Sequence, residues 1–129
     1  MRLLLDTHIF LWFILGEERI KPSVRASIEN ADVAYLSVIS LWETTIKFNL
    51  GKLALPEPPL PWLAVQREEH GIESLPLNET AIQRLATLPL HHRDPFDRIL
   101  VCQALEHDLQ IITVDPAFAK YTARVFAPA

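Results

Sequence analysis

Apolar residues in this chain fall into short runs bounded by turn residues, alternating with longer stretches of helical period. Residues 2–5 predict a short buried strand, and residues 7–15 a helix stopped by Gly16. Pro22 introduces a second helix over 23–30, and residues 33–37 form the next strand. A longer helix is expected over 40–50, with Ser40 as its N-cap and Gly51 as its stop. Pro56, Pro58, Pro59 and Pro61 stiffen a connector into a helix that closes at Gly71. Beyond it come a strand over 72–77, a helix capped by Asn78 and reaching about residue 88, and a polar loop over 89–95. A strong helix over 96–108, a β-branched strand over 110–114, a short helix opened by Pro116 and a last edge strand over 125–127 complete the pattern. Short apolar strands separated by helices predict an α/β fold, a mostly parallel central sheet with helices on both faces, formed by one domain over 1–129.

Half of the 129 residues are hydrophobic, enough for a substantial core. No apolar run approaches the roughly twenty residues that span a bilayer, so no membrane association is expected. The charged Asp6 interrupts what would be the apolar centre of a leader, which suggests a cytoplasmic protein. The lone Cys102 sits among Val101 and Ala104 and is expected to be a buried hydrophobe. A formal net charge of −4 argues against nucleic-acid binding by a broad basic surface. It leaves room for a nuclease whose metal supplies positive charge, with Lys47, Lys52, Arg93 and Arg98 as candidate local cations.

Four acids stand where burial is expected. Asp6 follows the first strand and Asp115 the strand over 110–114, and ligands in parallel sheets bind beyond such carboxyl ends. Glu43 falls within the helical stripe Ile39, Trp42, Ile46 and Leu50, while Asp97 lies in the first turn of its helix on the face of Val101, Ala104 and Leu105. Each acid has a structural explanation: helix capping for Asp6 and Asp115, the helix dipole for Asp97, and a pair with Lys47 for Glu43. Convergence of all four on one end of one sheet favours a divalent-ion site, and carboxylate oxygens select Mg²⁺ or Mn²⁺.

Leu4-Leu5-Asp6-Thr7-His8, Ser40-Leu41-Trp42-Glu43, His92-Arg93-Asp94-Pro95-Phe96-Asp97-Arg98 and Thr113-Val114-Asp115, in that order, resemble the PIN-domain family. Within it the chain is similar to the VapC-type toxins of bacterial and archaeal toxin–antitoxin pairs. The resemblance covers essentially the whole chain. It implies a PIN-like fold and a Mg²⁺- or Mn²⁺-dependent endoribonuclease acting as a toxin. Asp6, Glu43 and Asp97 match the family's three core acids, and Asp115 the more variable fourth. Asp94 is an additional acid, set beside the ligands or facing RNA. The implied partners are an RNA substrate, a cognate antitoxin and a second copy of the chain in a homodimer.

Thr7 and Thr113 adjoin two of the acids, where a hydroxyl orients a carboxylate or a bound water, or else caps a helix. Arg98 could stabilise phosphate charge or pair with Asp94. His91 and His92 are candidate phosphate contacts or solvated loop residues, and His8, His70 and His107 lack the paired spacing of a zinc site. The unbroken apolar row from Ile9 to Leu15 predicts a second apolar face, so Trp12, Phe13, Trp42 and Phe48 are candidates for a partner groove, with burial inside the monomer as the alternative. Two other functions compete with a nuclease: a PIN scaffold that binds without cleaving, and a phosphoacceptor signalling domain. The latter calls for a double acid after the first strand, where Asp6 is followed by Thr7.

Overall fold

The computed structural model describes residues 1–91 and 93–121 and the backbone of 125–126. Five strands form one sheet in the order β3-β2-β1-β4-β5: β1 (Arg2–Leu5), β2 (Val33–Ser37), β3 (Glu73–Leu75), β4 (Gln110–Ile112) and β5 (Val125–Phe126). Every pairing among them is parallel, with Leu3 opposite Ala34 on one side of β1 and Leu5 opposite Ile112 on the other. The expectation of a mostly parallel sheet is met without an antiparallel edge. Among the described residues six α-helices connect the strands: α1 (Thr7–Ile14), α2 (Pro22–Glu29), α3 (Val38–Asn49), α4 (Pro59–Glu69), α5 (Glu79–Gln83) and α6 (Pro95–His107).

Alternation along β1 divides the core. Leu3 and Leu5 face a cluster built with Phe10 and Phe13 of α1, Val24 and Ile28 of α2 and Leu63 of α4. Leu4 faces the opposite cluster, with Leu100, Val101 and Ala104 of α6 and Phe118. The chain therefore crosses from β1 to one face and reaches β4 from the other, which opens a crevice between the carboxyl ends of β1 and β4.

Several element ends differ from the sequence expectation. Ser37, not Ser40, caps α3: its hydroxyl accepts from the Ile39 amide at 3.0 Å and donates to Gln103 Oε1 at 2.6 Å, which frees Ser40 to turn inward. The strand expected over 72–77 shortens to Glu73–Leu75, and the helix after Asn78 gives way to a 3-10 turn at Arg84–Ala86. Asp94 caps α6, which starts one residue early at Pro95, a position where proline's missing amide costs nothing. Ala127, at the end of the expected last strand, lies outside the described residues.

The apolar row of α1 is mostly core. Phe13, a candidate partner contact, is 4 % exposed, edge-on to the His70 ring and beneath the Arg25 guanidinium. It supports the monomer and offers no surface. Among the described residues, no helix is long and apolar enough to cross a membrane.

Candidate active site

The crevice at the carboxyl ends of β1 and β4 has a volume of about 320 Å³ and is lined by Asp6, His8, Trp12, Arg19, Glu43, Lys47, Asp94, Asp97, Val114 and Asp115. All four predicted acids and Asp94 meet there. Asp6 is the residue at which β1 turns into α1: its amide donates to Ile112 of β4 and its carbonyl accepts from Phe10. Although it occupies the N-cap position, its side chain makes no capping bond. Its carboxylate instead accepts from the Thr113 hydroxyl at 2.7 Å. Burial raises the Asp6 pKa and the Thr113 bond opposes that rise.

Glu43 is buried, as expected, but for a different reason. The stripe of Ile39, Trp42, Ile46 and Leu50 does not face the core as a unit: Ile39 is buried, but Trp42 is 59 % and Leu50 64 % exposed. The buried residues of α3 are Ile39, Ser40, Glu43 and Thr44. Thr7 accounts for this face, because its hydroxyl lies 2.8 Å from both Glu43 Oε1 and Ser40 Oγ. With one hydrogen, it donates to the carboxylate and takes its other bond from Ser40. A polar cluster, not an apolar stripe, turns Glu43 toward the crevice. Its second oxygen, Oε2, accepts from Lys47 Nζ one turn on. The pairing proposed for Glu43 as a structural alternative thus exists inside the site.

Asp97 projects from the first turn of α6, on the same face as the buried Val101 and Ala104. Burial, then the negative charges of Asp6, Asp94, Glu43 and Asp115, push its pKa up to about 7. Asp94 is held one step back, its carboxylate accepting from the Phe96 amide at 2.8 Å. Asp115 likewise caps the turn at Pro116–Lys120, accepting from the Ala117 amide at 2.9 Å. Its own amide donates to the Thr113 hydroxyl at 3.0 Å, so Thr113 links Asp115 to Asp6. Both threonines singled out from the sequence therefore orient acids.

Other candidates fall elsewhere. Arg98 donates to the Pro89 and Leu88 carbonyls at 3.1 and 3.4 Å, fastening the loop before α6, and does not line the crevice. His91 stacks edge-on against Tyr121 at 4.8 Å, and His92 lies outside the described residues. Lys47 lines the crevice, whereas Lys52, Arg93 and Arg98 do not. His8 and Arg19 join it without having been assigned to it. For His8 a signal existed, its position two residues beyond Asp6; Arg19 is delivered by the turn after α1 and had none. Trp12 is partly buried at the crevice, its ring 5.5 Å from the Arg19 guanidinium. Trp42 stands outside it, edge-on to Phe96 at 5.2 Å, with Phe48 half-buried further along α3.

The donors suit a hard divalent ion in kind, since all are carboxylate oxygens, and the crowding that lifts Asp97 is what a cation relieves. Among the described residues, no group of three or more His, Cys, Asp or Glu side chains is already arranged to hold an ion.

A parallel sheet in the order 3-2-1-4-5 with a carboxylate-lined crevice at its switch point defines an acidic-site α/β protein. The chain belongs to the PIN domain family, whose model matches residues 3–123. It is 28 % identical over 113 residues to Ribonuclease VapC22 of Mycobacterium tuberculosis (strain ATCC 25618 / H37Rv), an alignment covering 87 % of this chain and 85 % of that protein. Among solved structures it is similar to VapBC2 from Rickettsia felis bound to a DNA fragment from its promoter, with TM-score 0.72, 14 % identity and 97 % and 96 % of the two chains covered. A VapBC-5 structure from Mycobacterium tuberculosis gives TM-score 0.60 at 21 % identity, covering 98 % of each chain. At those identities the two structures speak for the fold.

Proposed function

We propose that this PIN-domain protein is a metal-dependent endoribonuclease, the VapC-type toxin of a toxin–antitoxin pair. The observation that carries it is the convergence of Asp6, Glu43, Asp94, Asp97 and Asp115 on one crevice, where Asp97 is raised to about 7 by burial and by its like-charged neighbours. Structural carboxylates are usually neutralised one by one, whereas this set gathers five acids whose mutual repulsion a divalent cation would relieve. The relationship to a protein named as a ribonuclease supplies the substrate class.

Asp6, Glu43, Asp97 and Asp115 would hold Mg²⁺ or Mn²⁺. Once bound, such an ion lowers the pKa of a water and neutralises charge developing on the phosphodiester. The chain's own residues fix the donors. Thr113 holds Asp6 and Thr7 holds Glu43, each through one short hydroxyl bond, so neither carboxylate has to be ordered at the moment of reaction. His8 and Arg19 stand at the rim, where an incoming phosphate would meet them. Among the described residues neither a serine nor a cysteine lines the crevice, and the hydrolysis proposed needs no side-chain nucleophile.

Partners would meet α1 and α3. Trp12 and Trp42 present partly and largely exposed indole rings beside the crevice, and Phe48 extends the same helix. An apolar antitoxin segment seated there, with a basic side chain entering the acids, would block the site, and a second copy of the chain would complete a homodimer.

Incubation of the purified protein with single-stranded or looped RNA tests the proposal. Cleavage should require Mg²⁺ or Mn²⁺ and stop with EDTA. RNA binding without turnover at any metal concentration would identify a binding scaffold instead.

A further inference from the structure

Lys47 is bonded directly to a predicted metal ligand. Its Nζ lies 2.5 Å from Glu43 Oε2, and Thr7 occupies Oε1, so both oxygens of Glu43 are engaged within the chain itself. The Glu43 side chain is 3 % exposed, whereas that of Lys47 is 34 % exposed. The carboxylate is fixed deep in the wall, and the ammonium reaches it from the crevice along a flexible stem. Glu43 without this partner would be an uncompensated buried charge in a crevice shared with four other acids, a costly arrangement.

Resting on the metal-dependent function above, we propose that Lys47 is the resting cation of the site. It occupies Glu43 while no divalent ion is bound and must release that carboxylate when one enters. Two effects follow with the same sign. Lys47 stabilises the metal-free chain, and it lowers the affinity for the ion, both by competing for Glu43 Oε2 and by its own charge. The release is possible because only the mobile partner has to move: Glu43 stays anchored through Thr7 and the α3 backbone, while the lysine stem can swing toward solvent.

Calorimetric titration of Mn²⁺ into the wild-type protein and into Lys47→Met, Lys47→Arg and Asp97→Asn tests this, with melting temperatures taken in EDTA and in saturating Mn²⁺. An opposite charge at this range shifts a carboxylate's affinity for a proton by about ten- to a thousandfold, and the lower figure suits an ion in a wet crevice. Lys47→Met should therefore bind Mn²⁺ about tenfold more tightly than wild type, melt lower in EDTA and gain more from Mn²⁺. Lys47→Arg should stay near wild type. Acylation of wild-type Lys47, read by peptide mass spectrometry, covers the case in which Lys47→Met does not fold: labelling should rise severalfold in saturating Mg²⁺ as Nζ is released. Equal or weaker Mn²⁺ binding by folded Lys47→Met, or labelling unchanged by Mg²⁺, overturns the role of Lys47. Binding by wild type that Asp97→Asn abolishes would leave the metal site standing in that event, whereas no binding by any variant overturns the metal-dependent function itself.

Discussion

The two edges of the sheet treat carboxylates in opposite ways. At the amino edge charges meet singly and in solvent: the Met1 ammonium pairs with Asp32 at 2.6 Å, and Arg2 donates to the His107 carbonyl at 3.1 Å. The hydrogen bond and charge of the amino terminus hold the Asp32 pKa below its ordinary value. At the carboxyl edge five acids share one crevice, and burial with mutual repulsion carries Asp97 from an ordinary 3.8 to about 7. The same residue type thus meets an opposite charge singly in solvent at one edge and is gathered with others of its own sign at the other. Folding alone does not explain the second arrangement, because neutral residues of similar size would pack there at lower cost. Local rules broken at a concave site point to function.

The largest expected effect separates the two edges. Loss of a direct metal ligand removes several kcal/mol of transition-state stabilisation, about a hundredfold or more in rate. Asp6→Asn, Glu43→Gln and Asp97→Asn should each lose RNA cleavage on that scale while keeping a wild-type circular dichroism spectrum, and Asp32→Asn should cleave normally. Wild-type rates from any of the three would remove that residue from the ligand set.

Asp94 sharpens the comparison within the crevice. It caps α6 through the Phe96 amide, whereas Asp97 projects from the first turn into the cluster. Loss of a group that orients ligands usually costs about ten- to a hundredfold. Asp94→Asn should therefore be impaired yet measurable, and raising Mn²⁺ should restore part of its rate, with no such recovery for Asp97→Asn. The reverse pattern in a Mn²⁺ rate titration would exchange their roles.

Outside the crevice, Trp42 tests whether the surface of α3 serves a partner. Expressed alone the protein should arrest growth or aggregate, and its antitoxin should rescue it. Trp42→Ala should weaken that complex by about 1 to 2 kcal/mol, as truncation of an anchoring aromatic does, and alter cleavage less. Equal affinity of folded wild type and Trp42→Ala in a binding titration would move the interface elsewhere.

The smallest effect is on stability, and its sign differs between the edges. Asp97 has a folded pKa above its unfolded one, so between about 4 and 7 the folded chain binds the extra proton, and this contribution is lost as pH rises toward 7. Asp32 behaves oppositely: its contribution is present above its ordinary 3.8 and lost as pH falls through its lowered folded value. In EDTA, Asp97→Asn, a mimic of the protonated acid, should melt above wild type at about pH 8, with the difference narrowing steadily as pH falls toward about 4. Parallel melting curves across that range would show that Asp97 does not carry the repulsion assigned to it.

Much of the site was legible because it is local. A carboxylate one residue past an apolar strand, or in the first turn of a helix after Asp-Pro, is positioned by backbone geometry that the sequence alone prescribes, and Asp6 and Asp97 needed little more. Alternating strands and helices likewise determined the parallel sheet, since a parallel pair requires a crossover. Glu43 is different. Periodicity placed Trp42 and Leu50 inward with it, and the fold turned both out, because Thr7 and Ser40, 33 residues apart in the chain, meet only after α1 and α3 pack. Arg19 at the crevice and Arg98 on the Pro89 carbonyl have the same origin. Periods of 2 and 3.6 specify elements and their amphipathic faces within one segment. Which polar side chain becomes a partner depends on segments that the chain brings together from afar, and only the tertiary structure decides that.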